Sequence, residues 1–540
     1  MYFDKKIINN FLPLFVFIIF FLIGLSSFQD FGISSDESFH RDSGNLYYEF
    51  LKGIFFSDSG SAISLKQMQK LASENVLYMM PVIFDMINEF IIDIFNIKDI
   101  QKIFFLRHFI NFFIFLIGCY YFFLIILKIF DSYLYSYIGI LSLFCYPRIF
   151  GESFYNNKDL VFLSVSIILI YYSIQFLTKL TFKNALIFGI FSALAFDVRI
   201  MSIIIIFVSY FLLALKILDN NNFFSNKYKY VLTSSAVTIL FIFIFWPYLW
   251  LDPINNLINF FAKIKSVTPE IHNYYMGEYI YSKNVPWHFD IVWILVTIPT
   301  TVAVFFVIGF LNILLKTSRN FLNLEKKGHK FIESNNDLYN LYFFLIFLLV
   351  LLSQIKFGVS YDGWRHLYFL YPIIIIFFLR GIFLIQFNLS NKNIIKFFYI
   401  IVSFEIMFLI FWSFKNHPHQ YVFFNPLYKN FTLKKFELDY WGLSNRSSLE
   451  YIIRYSKKDI IKVAAISWTS LENSLLILKK SKKDKIKVVH DLREADFVID
   501  NYRKKWDKKI NYTILNEKYK KIFDLVIDER IISTIYERKI

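Results

Sequence analysis

FLPLFVFIIFFLIGLSSFQDFGISSDESFHRDSGN, Phe11 to Asn45, joins an unbroken apolar run to the densest cluster of ionisable side chains in the chain. The run, 11–28, follows Lys5 and Lys6 and approaches the ~20 residues that span a bilayer as a helix. No clear A-x-A cleavage site follows it, and many further apolar runs do, so it reads as an anchor and not as a cleaved leader. Five residues later, Ser34–Asn45 supplies three acids, an Arg and a His. What that cluster does depends on which side of a membrane it occupies.

Apolar runs recur near 103–128, 133–146, 160–178, 184–198, 200–217, 231–250, 290–315, 339–355, 366–386 and 395–413, the third and fifth spans being the shortest. With 56% hydrophobic residues in 540 and a mean hydropathy of +0.48, the chain is expected to be a polytopic α-helical membrane protein of about 11 transmembrane helices. Cys119 and Cys145 both fall inside apolar runs, which excludes a disulfide framework and a metal knuckle and leaves core filling.

The net charge of +16 suggests nucleic-acid binding only until the cations are placed. With the N-terminus in the cytoplasm, one set of loops holds Lys128, Lys179, Lys183, Lys216, Lys227, Lys229, Lys316, Arg319, Lys326, Lys327, Lys330, Lys392 and Lys396. Short basic cytoplasmic loops are a topology signal, and no nucleic acid is expected as a partner. An odd span count puts the C-terminus outside. The chain then divides into a transmembrane domain, 1–413, with a first extracytoplasmic loop over about 29–102, and a soluble extracytoplasmic α/β domain, 414–540. In the tail IKVAAI, KIKVVH and ADFVID read as short buried strands and LENSLLILKK as a helix between them. Its lysines read as a solvated face, or as a contact with anionic headgroups. Asn430, Asn445 and Asn511 head Asn-x-Ser/Thr triplets, which matter only in a secretory compartment. No internal repeat is visible.

The polar stretches at the other helix ends all fall on the outer side: SSDESFHRD, YPRIFGESFYNNKD (146–159), DVR (197–199), WPYLWLDP (246–253) and YDGWRH (361–366). Charged groups at membrane ends can line one cavity open to the outer leaflet, and ionisable groups held in a membrane mark a path or a site. Ser34-x-x-Glu37 fits a capping box, which would make Glu37 structural and leave Asp36 as the candidate base, with His40 four residues on along the same face. An ordinary capped interfacial helix is the plain alternative. Asp159 opens the fourth span. It can position an acceptor hydroxyl, hold a divalent cation, or serve only as a helix N-terminal acid. Arg148, Glu152 and Lys158 lie in the same loop. Arg199 and Arg365, at outer ends of spans 6 and 10, run against the charge trend; their planar forks suit phosphate oxygens, of a carrier lipid or of bulk headgroups. Trp246, Tyr248, Trp250 and Trp287 fit an interfacial belt, and His417 and His419 a loop after the last span.

FGESFYNNKDLVF, YDGWRHLYFLYP, HPHQYVFFNP and FELDYWGLSNRSSLEYI, with the acidic first loop, resemble the glycosyltransferase C superfamily. The resemblance is to its family 39-like branch, which holds protein mannosyltransferases and aminoarabinose transferases, and within it to a bacterial subgroup. It covers most of the chain and implies a GT-C type enzyme of the plasma (inner) membrane. Such an enzyme moves a sugar from a polyprenyl-phosphate carrier to a glycan, lipid or protein acceptor on the outer face. The implied roles are Asp36 as base, Asp159 beside it, and Arg199 and Arg365 on the lipid phosphate; Glu37 and His40 are further candidates beside Asp36, and Lys158 and Arg148 further cations for the phosphate. Glu152, Asp362 and His366 would contact substrate. Metal use varies among such enzymes, so a divalent cation is open and no cofactor is assigned. The tail departs from the lumenal module of protein mannosyltransferases, which puts a protein acceptor in doubt. The expected chemistry is a single inverting displacement. A flippase for lipid-linked sugars and a non-catalytic envelope-assembly protein are the rival readings.

Overall fold

The computed structural model describes residues 5–55, 65–74, 76–218, 227–250, 252–266, 271–322, 332–388, 391–503 and 512–539. Lys326, Lys327, Lys330 and Asn511 lie outside these residues.

Among the described residues, eight helices are long and apolar enough to cross a membrane: Ile100–Phe130, Asp159–Thr178, Ile200–Ile217, Tyr228–Phe245, Thr300–Leu322, Asn335–Phe357, Arg365–Asn388 and Lys392–Lys415. Leu12–Ser27 and Tyr133–Phe144 are shorter apolar helices, as is the 17-residue Phe182–Val198. Phe15, Leu232, Phe404 and Phe414 stand on the outer surface, as expected of helices whose solvent is lipid. The chain is a multi-pass helical membrane protein with a small C-terminal sheet.

Local chemistry places the helix ends. Asp99, Ser132, Thr181, Ser334 and Asn391 each accept a backbone N–H of the first turn. The expected eighth span, 290–315, is instead two helices, Phe289–Thr297 and Thr300–Leu322. Pro299 lacks an N–H and holds Ile298 in an extended conformation (ψ 152°), which ends the first helix. The freed N–H groups of the second find Glu405, whose carboxylate accepts from Thr301 N at 3.0 Å. Close packing follows where side chains are smallest. A Cβ on Gly309 would stand 1.9 Å from Phe377 O, and one on Gly381 2.2 Å from Phe305 O, so Thr300–Leu322 and Tyr371–Asn388 touch backbone to backbone.

The residues after the last span do not leave the helical body at once. Tyr421–Phe424, Phe436, Tyr440 and Trp441 are buried in the same apolar cluster as the helices. Beyond them a five-stranded sheet has the order β4-β3-β5-β7-β6, from β3 (Ile461–Ala465), β4 (Ile486–Val488), β5 (Phe497–Asp500), β6 (Tyr519–Ile527) and β7 (Arg530–Arg538). β3 is parallel to β4 and β5; β7 is antiparallel to β5 and β6. The first three strands are those the alternation of apolar residues marks. The β6–β7 hairpin escapes that reading because its turn, Asp528-Glu529, takes positive φ at both residues without a glycine. A second hairpin, β1 (His272–Tyr275) and β2 (Glu278–Tyr281), lies in the loop after the seventh span.

The two ends of the bundle differ in charge. Lys128 Nζ reaches Gln175, Lys216 Nζ reaches Leu177 O and Lys316 pairs with Asp337, all at the end away from the sheet. The acidic first loop, the YDGWRH turn and the sheet share the other end.

Candidate active site

In the first loop the helices Glu37–Phe55 and Ile83–Ile94, with the shorter Leu65–Glu74 and Val76–Met79 between them, are laid against the sheet-side end of the bundle. Ser34 and Glu37 make half a capping box: Ser34 N–H donates to Glu37 Oε2 at 2.6 Å, whereas Ser34 Oγ donates to Tyr155 O. Glu37 Oε1 meets His108 Nε2 at 2.9 Å, both fully buried, so Glu37 is turned into the bundle. Asp36 points the other way, its side chain 37% exposed.

Asp36 meets Arg365. Arg365 Nη1 donates to Asp36 Oδ2 at 3.0 Å and to Asp159 Oδ2 at 3.2 Å, and its Nη2 to Asp362 Oδ2 at 3.0 Å. Arg199 Nη2 stands 2.5 Å from the other oxygen of Asp159. Residues 36, 159, 199, 362 and 365, from distant parts of the chain, thus form one ion-pair cluster at the sheet-side end. Arg365 and Asp159 are buried; Asp36 and Arg199, 19% exposed, form its open edge. Asp362 sits in the left-handed region (φ 59°), followed by Gly363 (φ 72°). This turn is pinned from β1: Asp362 N–H donates to Asn273 Oδ1, and Asn273 Nδ2 to Ser360 O. The carboxylate is thereby swung onto the guanidinium three residues on.

The tail closes the cluster. Arg503 Nη2 lies 2.6 Å from Asp362 Oδ1, and Nη1 pairs with Glu437. Burial drives the Glu437 carboxyl upward and Arg503 opposes it, while Asp362 and Glu437 hold Arg503 firmly charged. Trp441 lies over the Arg365 guanidinium, 4.5 Å from its ring centroid, a contact that a cation prefers on an aromatic face. Asp439 accepts from Gly442 N, Leu443 N and Ser444 N at 3.0–3.1 Å, folding DYWGLS into a tight turn. Gly442 is required there: its φ is +77° and a Cβ would stand 2.6 Å from Thr469. Ser35 N–H donates to Trp441 O, and Arg446 Nη1 to Gln29 O and Phe31 O. The loop that carries Asp36 is therefore tied to the tail.

Lys158 and Arg199 face a cleft of about 230 Å³ with Met80, Asp197, Met201 and Phe260. Burial, and then the Arg199 charge, push the Lys158 ammonium below its usual value. The His40 ring stands near Lys158, Arg107, Asp85 and Asp159; His40 N–H donates to Asp36 O at 3.0 Å, but no hydrogen bond joins the two side chains among the described residues. His366 packs edge-on to Tyr361, and its carbonyl accepts from Arg199 at 3.5 Å.

Glu152 lies one layer deeper. It accepts from Tyr368 at 2.7 Å and Tyr440 at 3.1 Å, and Asn156 bridges it to Asp159. Arg148 is farther still. Its Nε donates to Phe423 O and its guanidinium lies over Trp293 and Phe424, so the structure does not bring it to the cluster. Among the described residues, no group of three or more His, Cys, Asp or Glu is arranged to hold a metal ion.

Sequence reasoning missed Arg107, His108, Glu437 and Arg503. Arg107 is buried between Asp85 (2.5 Å) and Glu89 (3.1 Å) and stiffens the first loop. Arg107 and His108 had a legible signal, being ionisable residues inside the apolar run 103–128. Arg503 had a fainter one: it follows the carboxyl end of β5, where open α/β sheets present their functional loops.

Burial and the Lys158 charge push the His40 pKa down from 6.5 to about 3. Above about pH 6.5 the ring is neutral folded or unfolded and costs nothing. As pH falls below that value the unfolded chain takes up the proton and the folded one does not, so stability is lost on acidification. The melting temperature of the detergent-purified protein is expected to fall more steeply between pH 7 and pH 5 than that of His40→Asn. Parallel profiles would remove His40 from the proton balance.

No family model and no curated protein matches the sequence. Among solved structures the chain is similar to the crystal structure of ArnT from Cupriavidus metallidurans in the apo state, at 8% identity over 98% of each chain and a TM-score of 0.45.

Proposed function

We propose that the chain is a membrane glycosyltransferase of the GT-C type. In this reading it moves a sugar from a polyprenyl-phosphate carrier to a hydroxyl acceptor at the sheet-side end, which faces away from the cytoplasm. The observation that carries the reading is the Asp36–Arg365–Asp159–Arg199 cluster: a partly exposed carboxylate and a partly exposed guanidinium at one edge, locked from behind by buried partners. The basic loops at the other end support the orientation. The resemblance of FELDYWG and DGWRH to the family 39-like branch supports the carrier.

The acceptor oxygen attacks the anomeric carbon while its proton passes to the Asp36 carboxylate. The bond from that carbon to the phosphate oxygen breaks, and its electron pair stays on the departing polyprenyl phosphate. Attack from the opposite face inverts the configuration. The leaving group is already anionic, so it needs positive charge held in place more than it needs a proton. Arg199 and Lys158 supply that charge at the cleft. The Arg365 fork is committed to three carboxylates, and it sets the position of Asp36. One-sided placement favours this reading over a flippase, which needs charged groups exposed in turn to both faces.

The test is to give purified protein a short-chain polyprenyl-phosphate sugar together with a cell-envelope extract that supplies acceptor hydroxyls, and to measure release of polyprenyl phosphate. Arg199→Ala is expected to raise the donor KM by about 10–100-fold, the loss of a charge-assisted hydrogen bond. An unchanged donor KM would take the phosphate away from Arg199. Absence of release by wild type with every common hexosyl, hexosaminyl and pentosyl donor would end the proposal.

A further inference from the structure

A second crevice, of about 200 Å³, opens at Ser35, the chain neighbour of Asp36, between the first loop and the tail. Ser35 and Trp441 form one side; Trp468, Thr469, Ser470 and Asn473 form the other. Its volume is below the ~300–1,000 Å³ of pockets that enclose a drug-sized molecule, so it suits a single ring.

Three observations point to a ligand here. Trp468 is 48% exposed, a costly placement for an indole unless something covers it, and Arg503 backs it at 5.5 Å. Trp441, 1% exposed, lines the crevice, and its Nε1 donor has no partner among the described residues. The residue 466–470 loop follows β3 and Asn501–Arg503 follows β5. Trp468 N–H donates to Arg503 O at 2.8 Å, so the crevice sits at the carboxyl ends of two parallel strands, where α/β sheets bind ligands. The Trp468 face, hydroxyls and an amide form the lining that a polyhydroxylated ring needs, with the buried Trp441 Nε1–H unpaired behind it: the ring's C–H face packs on indole while its hydroxyls exchange hydrogen bonds at the rim.

We propose that this crevice is the acceptor subsite, and that it takes a sugar ring stacked on Trp468. The assignment rests on the transferase reading. Ser35 precedes Asp36 in the chain and is tied to Trp441, and Trp441 lies on Arg365, which holds Asp36. A ring seated here lies beside the base, on the side of the tail, and the donor cleft with Arg199 and Lys158 is a separate opening. The tail therefore selects the acceptor, and the helical body holds the donor.

Binding is measured apart from turnover, by saturation-transfer NMR on the full chain in phosphatidylcholine nanodiscs, which contain no sugar. The probes are glucose, galactose, mannose, N-acetylglucosamine and their β-1,4-linked disaccharides. At least one is expected to bind saturably to wild type. Trp468→Ala weakens that binding roughly tenfold, and Trp468→Phe, which keeps an aromatic face, restores most of it. Lack of binding by every probe, or equal binding by wild type and Trp468→Ala, overturns the proposal, whatever the donor assay shows. Sugar binding by a protein that releases no polyprenyl phosphate would sink the transferase reading and leave a sugar site.

Discussion

Asp36→Asn is expected to lower sugar transfer by about 10²–10⁴-fold, the range lost with a general base, and to leave a folded protein. The variant keeps the shape of the side chain, and the new amide oxygen still accepts a hydrogen bond from Arg365. Arg365 retains Asp159 and Asp362, so no buried charge is stranded. Asp36 is the most exposed carboxylate of the cluster, and a solvent-facing member of an ion pair contributes little stability. The assay is polyprenyl phosphate release from a short-chain donor, followed beside the melting temperature. Equal release by the Asp36→Asn protein and wild type would remove the base and favour a transporter or an assembly role. A collapsed melting temperature would make Asp36 a structural residue.

Arg365→Met has the largest expected effect on the fold itself. It leaves Asp362 with Arg503 and Asp159 with Arg199, but removes from the centre a guanidinium that three carboxylates share. Deleting one partner of a buried ion pair costs about 3–5 kcal/mol, against a total stability of roughly 5–15 kcal/mol. The expected result is loss of the monodisperse peak on size-exclusion chromatography. Restoration in Arg365→Met combined with Asp159→Asn and Asp362→Asn would trace the cost to unpaired charge. Arg365→Lys keeps the charge but loses the fork, and falls between. A stable Arg365→Met protein with unchanged melting would mean that the cluster is held by its surroundings and not by this residue.

The helices were legible because their signal is local: length and hydropathy in one stretch of chain. The error at 290–315 came from reading apolarity alone, when Pro299 had already marked the break. Asp36, Asp159, Arg199 and Arg365 were visible as charges at helix ends on one side. That Arg365 is the hub was not, since its partners come from positions 36, 159 and 362 and only folding unites them. Glu37 could be separated from Asp36 by its capping spacing, but not assigned to His108, 71 residues away. Arg503 and Trp468 lie in the tail, where the sequence marks only short strands, a helix and a Lys-rich face. Their roles depend on how that tail docks, and docking leaves no periodicity in a sequence.

The Arg503–Asp362 contact has a consequence for biosynthesis. A ribosome delivers residues 36, 159, 199, 365 and 503 in that order, so the helices are complete while the carboxylates at their sheet-side ends are still partly unmatched. Neutralisation is finished only when Arg503 emerges and the tail folds back onto Asp362 and Glu437. The cluster is assembled like a lock whose last pin is cut after the barrel is in place, and a chain halted between the final helix and residue 503 lacks that pin.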